Sequence, residues 1–261
     1  MRLNPFDQYQ PNHSSIHQLD PRVKVLAAVL FIISTALLPD GAWLAYALSW
    51  ALVIIITLLA HIEPWLVVKR SFLVLPFLLA AVTLLFTLPG SVLWQGPFGL
   101  RISDYGLLRF TSILLRSWIS VQMAVLLTAT TRFPDILHAL RHLKVPAVLV
   151  SILAFMYRYL FVLTDEVGRM LRARAARSAC LPGKKGGRSL LWRAKIAGHM
   201  VGQLFLRSIE RSERVYEAML ARGYRGELLT MNPHFMLTKD WIGLVMSLLV
   251  VFAMQAAGRL I

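Results

Sequence analysis

Acidic residues are scarce in this chain. Its 261 positions hold 13 Asp and Glu against 28 Lys and Arg, a formal net charge of +15, and charged residues of all kinds make up only 16%. One cysteine, Cys180, excludes an intramolecular disulfide. The phosphate-cradling pattern GxxxxGK[ST] is missing, and the "GKKGG" stretch at 183–187 does not supply it, so ATP hydrolysis by this chain is not expected. The zinc-protease pattern HExxH is missing too: His138 and His142 stand four apart, but Ala139 occupies the place where the general base belongs. His13 and His17 are two imidazoles, and two imidazoles are not a metal site. Asp and Glu are rare in the apolar runs, so no proton or ion relay shows itself. The opening "MRLNPFDQYQPNHSS" has no apolar core, and no cleavable leader is expected there.

What is present is hydrocarbon. The chain is 57% apolar with a mean hydropathy of +0.62, where soluble domains average roughly 45–50% apolar. The excess points to a bilayer. The basic charge could suggest nucleic acid, but its placement argues against that: residues 165–227 carry 14 Lys and Arg against 6 Asp and Glu. One basic block beside apolar spans is the pattern of a cytoplasmic domain on a membrane protein. The expected fold is therefore all-α, an integral membrane bundle of about five spanning helices with long amphipathic cytoplasmic helices. Its expected domains are a four-span membrane domain at 1–131, a cytoplasmic domain at 132–230 and a final span at 231–261.

A spanning helix needs about 20 mostly apolar residues. The candidates are 23–38, 42–60, 71–88, 113–131 and 241–258, with a sixth apolar run at 147–163 interrupted by Arg158. With Arg22 and Lys24 in the cytoplasm, the 39–41 turn lies outside, the 61–70 loop with Lys69 and Arg70 inside, and the 89–112 loop outside. Four crossings bring the chain back to the cytoplasm at Arg132, and the last span leaves the C-terminus outside. This order holds only if 147–163 does not cross, so that run is expected to begin a helix lying at the membrane surface. Trp43, Trp65, Trp94, Trp118 and Trp241 mostly flank spans, as an interfacial belt does.

The basic region predicts two long amphipathic helices. On the first, Met156, Leu160, Leu163, Val167 and Leu171 share one face and Arg158, Asp165, Arg169 and Arg172 the other. Pro182 and three glycines in "LPGKKGGRS" break it. On the second, about 190–222, Phe205, Ile209, Tyr216, Met219 and Leu220 oppose Arg207, Arg211, Arg214 and Arg222, with Glu210–Arg214 as a favourable pair one turn apart. Gly223 suits the left-handed position just past a helix end. Before the first span, Asp20 suits an N-cap and Pro21 the first turn.

Both long helices end in alanine, arginine and a small residue: "MLRARAARS" at 170–178 and "AMLARGYRGE" at 218–227. An arginine near a C-terminus complements the helix dipole, which is one reading. The other is docking: small neighbours clear the space around a guanidinium that can grip a carboxylate through two bonds.

These segments, together with "HQLDPRVKVL" at 17–26, resemble the transmembrane T component of energy-coupling factor (ECF) transporters, most closely the cobalt-type, CbiQ-like member, over essentially the whole chain. That resemblance implies a non-catalytic multi-pass subunit of the bacterial cytoplasmic membrane, its basic domain cytoplasmic. It implies two ATP-binding cassette ATPase subunits as partners and a substrate-binding membrane subunit beside them in the lipid bilayer, with no nucleic acid. It further implies that ATP and Mg sit on the ATPases, that the transported cobalt or nickel sits on the membrane partner, and that this chain holds no cofactor. The ATPase-coupling residues are then Ala221, Arg222 and Gly223 on the second helix. On the first they are either Ala173-Arg174-Ala175 or Ala176-Arg177-Ser178. The competing reading is an integral membrane enzyme acting on an anionic lipid or phosphate, which needs converging His, Asp or Glu at a membrane face.

Overall fold

A computed structural model describes residues 9–12, 14–74, 76, 81–87, 91–95, 101–177, 190–226 and 236–259. The fold is an all-α membrane bundle, with one short hairpin, β1 (Val92–Gln95) against β2 (Arg101–Ser103), as the strand pairing among the described residues. The chain forms two compact units, Met1–Leu143 with Asn232–Ile261, and Lys144–Met231.

The first unit holds α1 (Ser15–Gln18), α2 (Pro21–Ala36), α3 (Trp43–Leu59), α4 (Pro64–Ser71), α5 (Leu84–Thr87), α6 (Asp104–Thr130), α7 (Phe133–His142) and, from the end of the chain, α10 (Thr238–Arg259). Asp20 caps α2 by accepting from the Arg22 amide (2.8 Å), and Pro21 opens its first turn, as the sequence predicts. Three expectations change. The expected loop at 61–70 contains α4, opened by Pro64, which pre-sets helical φ. The expected span 71–88 is not one described helix: α4 ends at Ser71, a 3-10 turn follows at Phe72–Val74, and α5 is four residues long, while part of that span lies outside the described residues. The span expected at 113–131 starts earlier, at Asp104, because Ser103 caps α6 by accepting from Gly106 N at 3.0 Å, and Arg109, expected in the loop, is paired with Asp40, as is Arg116 within the expected span.

The core of this unit is drawn from α2, α3, α4, α6 and α10, with Phe31, Val53, Ile119, Leu126 and Met254 at its heart. The helices approach closely because small and hydroxylated residues lie between them. Thr35, Ser49, Thr57 and Ser71 are buried, and each hydroxyl returns a bond to the carbonyl four residues back at 2.6–2.8 Å. A polar group is thereby satisfied within its own helix, the solution that hydrocarbon surroundings demand. At Gly258 a Cβ would fall 2.6 Å from Leu38 Cδ2, so α10 rests on the end of α2 there.

Polar ties fasten each end. At one, Asp240 Oδ1 accepts from Asp20 N (2.8 Å) and Oδ2 from Leu237 N (2.8 Å), joining the starts of α10 and α2. Lys24 Nζ donates to His17 O (2.9 Å) and Thr130 O (3.4 Å), and Arg22 Nη2 donates to His138 Nε2 (3.2 Å), which adds α6 and α7 to the same end. At the other end Arg116 holds Asp40 and donates through Nε to Tyr46 Oη (2.9 Å), whose hydroxyl donates to Pro39 O (2.8 Å).

The second unit is a pair of helices, α8 (Ala147–Arg177) and α9 (Leu190–Ala221), 31 and 32 residues long, as the sequence predicts. Only Val150 and Ser151 of α8 are buried, and no residue of α9 is. Among the described residues, three helices are long and apolar enough to cross a membrane by length and composition: α6, α8 and α10. The inclusion of α8 means that its expected surface position rests on charge placement and not on any shortage of length.

Candidate functional site

The last turn of α9 shows why glycine sits where it does. Gly223 N donates to Leu220 O (2.9 Å) and Tyr224 N to Met219 O (3.0 Å), the paired bonds of a Schellman ending. Gly223 has φ of +80°, a backbone that residues with a Cβ rarely adopt. The apolar contact that accompanies this ending is supplied by Tyr224 and Met219, which line the same groove. Arg222 is therefore the residue at which the helix stops. Its backbone belongs to the cap, while its guanidinium is exposed and forms no hydrogen bond or ion pair among the described residues. Open space lies around Gly223, where nothing comes within 4 Å of an added Cβ. The guanidinium is not tied to the last carbonyls of its own helix, so capping by a side-chain bond does not account for it.

Arg177 is the last residue of α8, exposed like its neighbours Ala173 and Ala176, and it too is unpaired among the described residues. Arg174, three residues earlier, is half-buried and engaged with other groups. The two candidate registers of the first motif thus differ physically, one arginine presented to solvent and the other held. Ser178 lies outside the described residues, as does the "LPGKKGGRS" loop.

The two helices are joined by a carboxylate that helical periodicity does not single out. Glu166 of α8 accepts from Arg207 of α9 at 2.7 Å and from Arg169 on its own helix. The Glu166 side chain is 13% exposed. The bonds from Arg169 and Arg207 hold its carboxyl below the usual carboxylate range, and the same carboxylate raises Arg169 above the usual arginine value. Sequence periodicity placed Arg207 and Arg211 on the face away from the apolar side. Instead Arg207 reaches α8, and Arg211 lines the groove between the helices. The expected Glu210–Arg214 pair does not form among the described residues, since both side chains are exposed to water that competes for them. The i,i+3 spacing of Glu166 and Arg169 was the visible signal for this junction; its partner 41 residues away was not.

The histidines have structural occupations. His138 and His142 do share a face, their rings edge to face at 4.6 Å, but His138 Nε2 accepts from Arg22, so the lone pair a metal would need is taken. His17 Nδ1 lies 2.7 Å from Ser14 Oγ and Nε2 lies 3.1 Å from Gln10 O. His13 lies outside the described residues. Among the described residues no cluster of three or more His, Cys, Asp or Glu could hold a metal ion.

One unit that is a helical membrane bundle and a second made of two long, barely buried helices whose ends present arginine define a helical membrane protein. The profile of the family CbiQ, cobalt transport protein, matches residues 12–232, and the chain belongs to that family, whose relatives are transmembrane components of ECF transporters. The energy-coupling factor transporter transmembrane protein EcfT of Listeria innocua is 31% identical over 84% of this chain and 84% of its own length. The EcfT of Thermosediminibacter oceani is 28% identical over 87% and 86%. An uncharacterized protein of Methanocaldococcus jannaschii is 29% identical over 94% of this chain and 83% of its own.

Proposed function

We propose that this chain transmits the closure of two ATP-binding cassette ATPase subunits to a substrate-binding membrane subunit, and that the substrate is a divalent transition metal, cobalt or nickel. The chain itself does not hydrolyse ATP. The membrane unit anchors the assembly, the basic unit faces the cytoplasm, and α8 and α9 are the coupling helices. The observation that carries this reading is the exposed, unpaired Arg222 at a glycine-terminated helix end, matched by Arg177 at the end of α8. Each guanidinium enters a carboxylate-bearing groove on one ATPase, and the small residues beside it, Ala221 and Gly223 or Ala176 and Ser178, let the helix tip approach. Held Arg174 favours the Arg177 register. Outward-facing Val201, Phe205 and Leu206 on α9, 55–66% exposed, offer an apolar face to the membrane partner.

Reversing the charge tests the docking. Removing one partner of a desolvated charge pair costs ~2–5 kcal/mol, which weakens assembly ~30-fold or more. Arg222→Glu and Arg177→Glu are each expected to abolish co-purification of the ATPases from membranes while insertion is unchanged; Arg174→Glu is expected to leave it. Arg222→Lys separates the two readings of the motif. A lysine suits the helix dipole equally, so a silent lysine variant means a cap, whereas loss of assembly means that the planar fork is required. Full complex formation and uptake by a properly inserted Arg222→Glu protein would refute the docking.

A further inference from the structure

Between α8 and α9 runs an open groove of about 790 Å³. Its lining is hydrocarbon, with Val148, Ile152 and Met156 from α8 facing Ile209 and Met219 from α9. Nothing in this unit covers it: Val148, Ile152 and Met156 are 54–65% exposed. The helix that forms one wall, α8, has the length and composition to enter a bilayer, and only 11% of its most apolar window is buried within the protein. Three tyrosines, Tyr159, Tyr216 and Tyr224, lie in the same lining, side chains that suit a boundary between hydrocarbon and water.

The groove carries one charge of each sign close together. Arg211 and Glu213 both line it, on either side of Ser212 and about 3 Å apart along the helix axis. Each is without a hydrogen bond or ion pair among the described residues. Arg207, one turn before Arg211, shows the contrast, since its guanidinium is occupied by Glu166. An apolar slot therefore ends beside one unpaired cation and one unpaired anion.

We propose that this groove binds a phospholipid whose headgroup carries both a phosphate and a primary amine. An acyl chain fills the slot, Arg211 donates to the phosphate, and Glu213 accepts from the ammonium. A headgroup with no amine would leave Glu213 facing added negative charge. A quaternary amine has no N–H to donate to it. The charged end of the groove, at Arg211 and Glu213, is distinct from the arginine tips and from the outward face at Val201, Phe205 and Leu206, and the binding does not depend on the coupling role proposed above.

The test uses the purified full chain in nanodiscs containing equal amounts of phosphatidylethanolamine, phosphatidylcholine and phosphatidylglycerol, with retained lipid read by native mass spectrometry. The wild type is expected to retain phosphatidylethanolamine about tenfold over the other two, the size a charge-assisted contact commands. Glu213→Gln is expected to erase the preference over phosphatidylcholine while lipid is still retained. Arg211→Gln is expected to lower retention of all three about tenfold. Ile152→Trp fills the slot and removes bound lipid, and Arg214→Gln, outside the lining, leaves the pattern unchanged. Glu213 is on the surface, so that variant reads the site even if Ile152→Trp disturbs folding. An absence of headgroup preference in the wild type, or a preference that survives both Glu213→Gln and Arg211→Gln, overturns the proposal. So does photocross-linking from position 156 that captures a partner subunit's polypeptide in the assembled complex in place of lipid.

Discussion

The two units of this protein are both built mainly from helices and are stabilised differently. The first encloses a core in which Phe31, Leu38 and Ile119 are 1–2% exposed, and it stitches both of its ends with side-chain hydrogen bonds. The second has two helices of more than 30 residues, of which only Val150 and Ser151, both on α8, are buried. The first unit's shape follows from its own contacts. The second unit cannot obtain its stability from burial within itself, so its arrangement must be sensitive to whatever apolar and acidic surfaces meet it. Under the coupling role proposed above, the part that moves with its partners is the less buried half of the molecule.

A matched pair of phenylalanine truncations gives this contrast its largest expected effect. Phe31→Ala opens a cavity among packed helices and should cost ~3 kcal/mol, read as a lowered midpoint for unfolding in detergent. Phe205→Ala, at a side chain 62% exposed, should change that midpoint by no more than ~0.5 kcal/mol. Equal losses at the two sites would erase the distinction drawn between the units.

Asp240→Ala is expected to come next. It removes the acceptor for two amides, Asp20 N and Leu237 N, in a site where Asp20 and Asp240 are 5% and 4% exposed. Leaving buried donors unpaired should cost ~2 kcal/mol. Asp240→Asn, which keeps one acceptor oxygen, should recover about half. An Asn variant as damaged as the Ala variant would mean that charge, and not the bond count, holds the ends of α2 and α10 together.

The smallest effect belongs to Glu166. Its carboxyl is held below the usual range by Arg169 and Arg207, so the tie between α8 and α9 is fully present above the ordinary carboxylate pKa. It is lost as pH falls through the lowered value. Distances between spin labels at Thr164 and Ser208 should broaden only at acid pH in the wild type, and at every pH in Glu166→Gln. A wild-type distribution that does not respond to acid would show that the carboxylate is not what closes the pair.

Much of this was legible in the sequence because it is local. The Asp20 cap, the extents of α8 and α9, and the glycine that ends α9 each follow from residues within one turn of one another. The Ala-Arg endings were equally visible, although periodicity alone did not distinguish Arg174 from Arg177; the difference is that one is half-buried and the other is not. What escaped were charges whose partners are distant in the chain. Asp40 pairs with Arg116 across 76 residues, Glu166 with Arg207 across 41, and Asp240 bonds Asp20 across 220. A local window sees Arg109 as the mark of a loop and cuts α6 short, because neutralisation by a remote aspartate leaves no trace in hydropathy.

The alignment of α2 with α10 has a consequence for the order of assembly. Asp20 meets Asp240, Ser34 meets Gln255 through bonds of 2.8 and 2.9 Å, and Leu38 meets Gly258. Partners rise together along both helices, so the two point the same way. Each pairing joins residues about 220 positions apart, so this seam is among the most non-local contacts of the fold and belongs to the slow, late part of its formation. Until α10 has arrived, the Asp20 amide and the Ser34 hydroxyl wait without the partners that complete them.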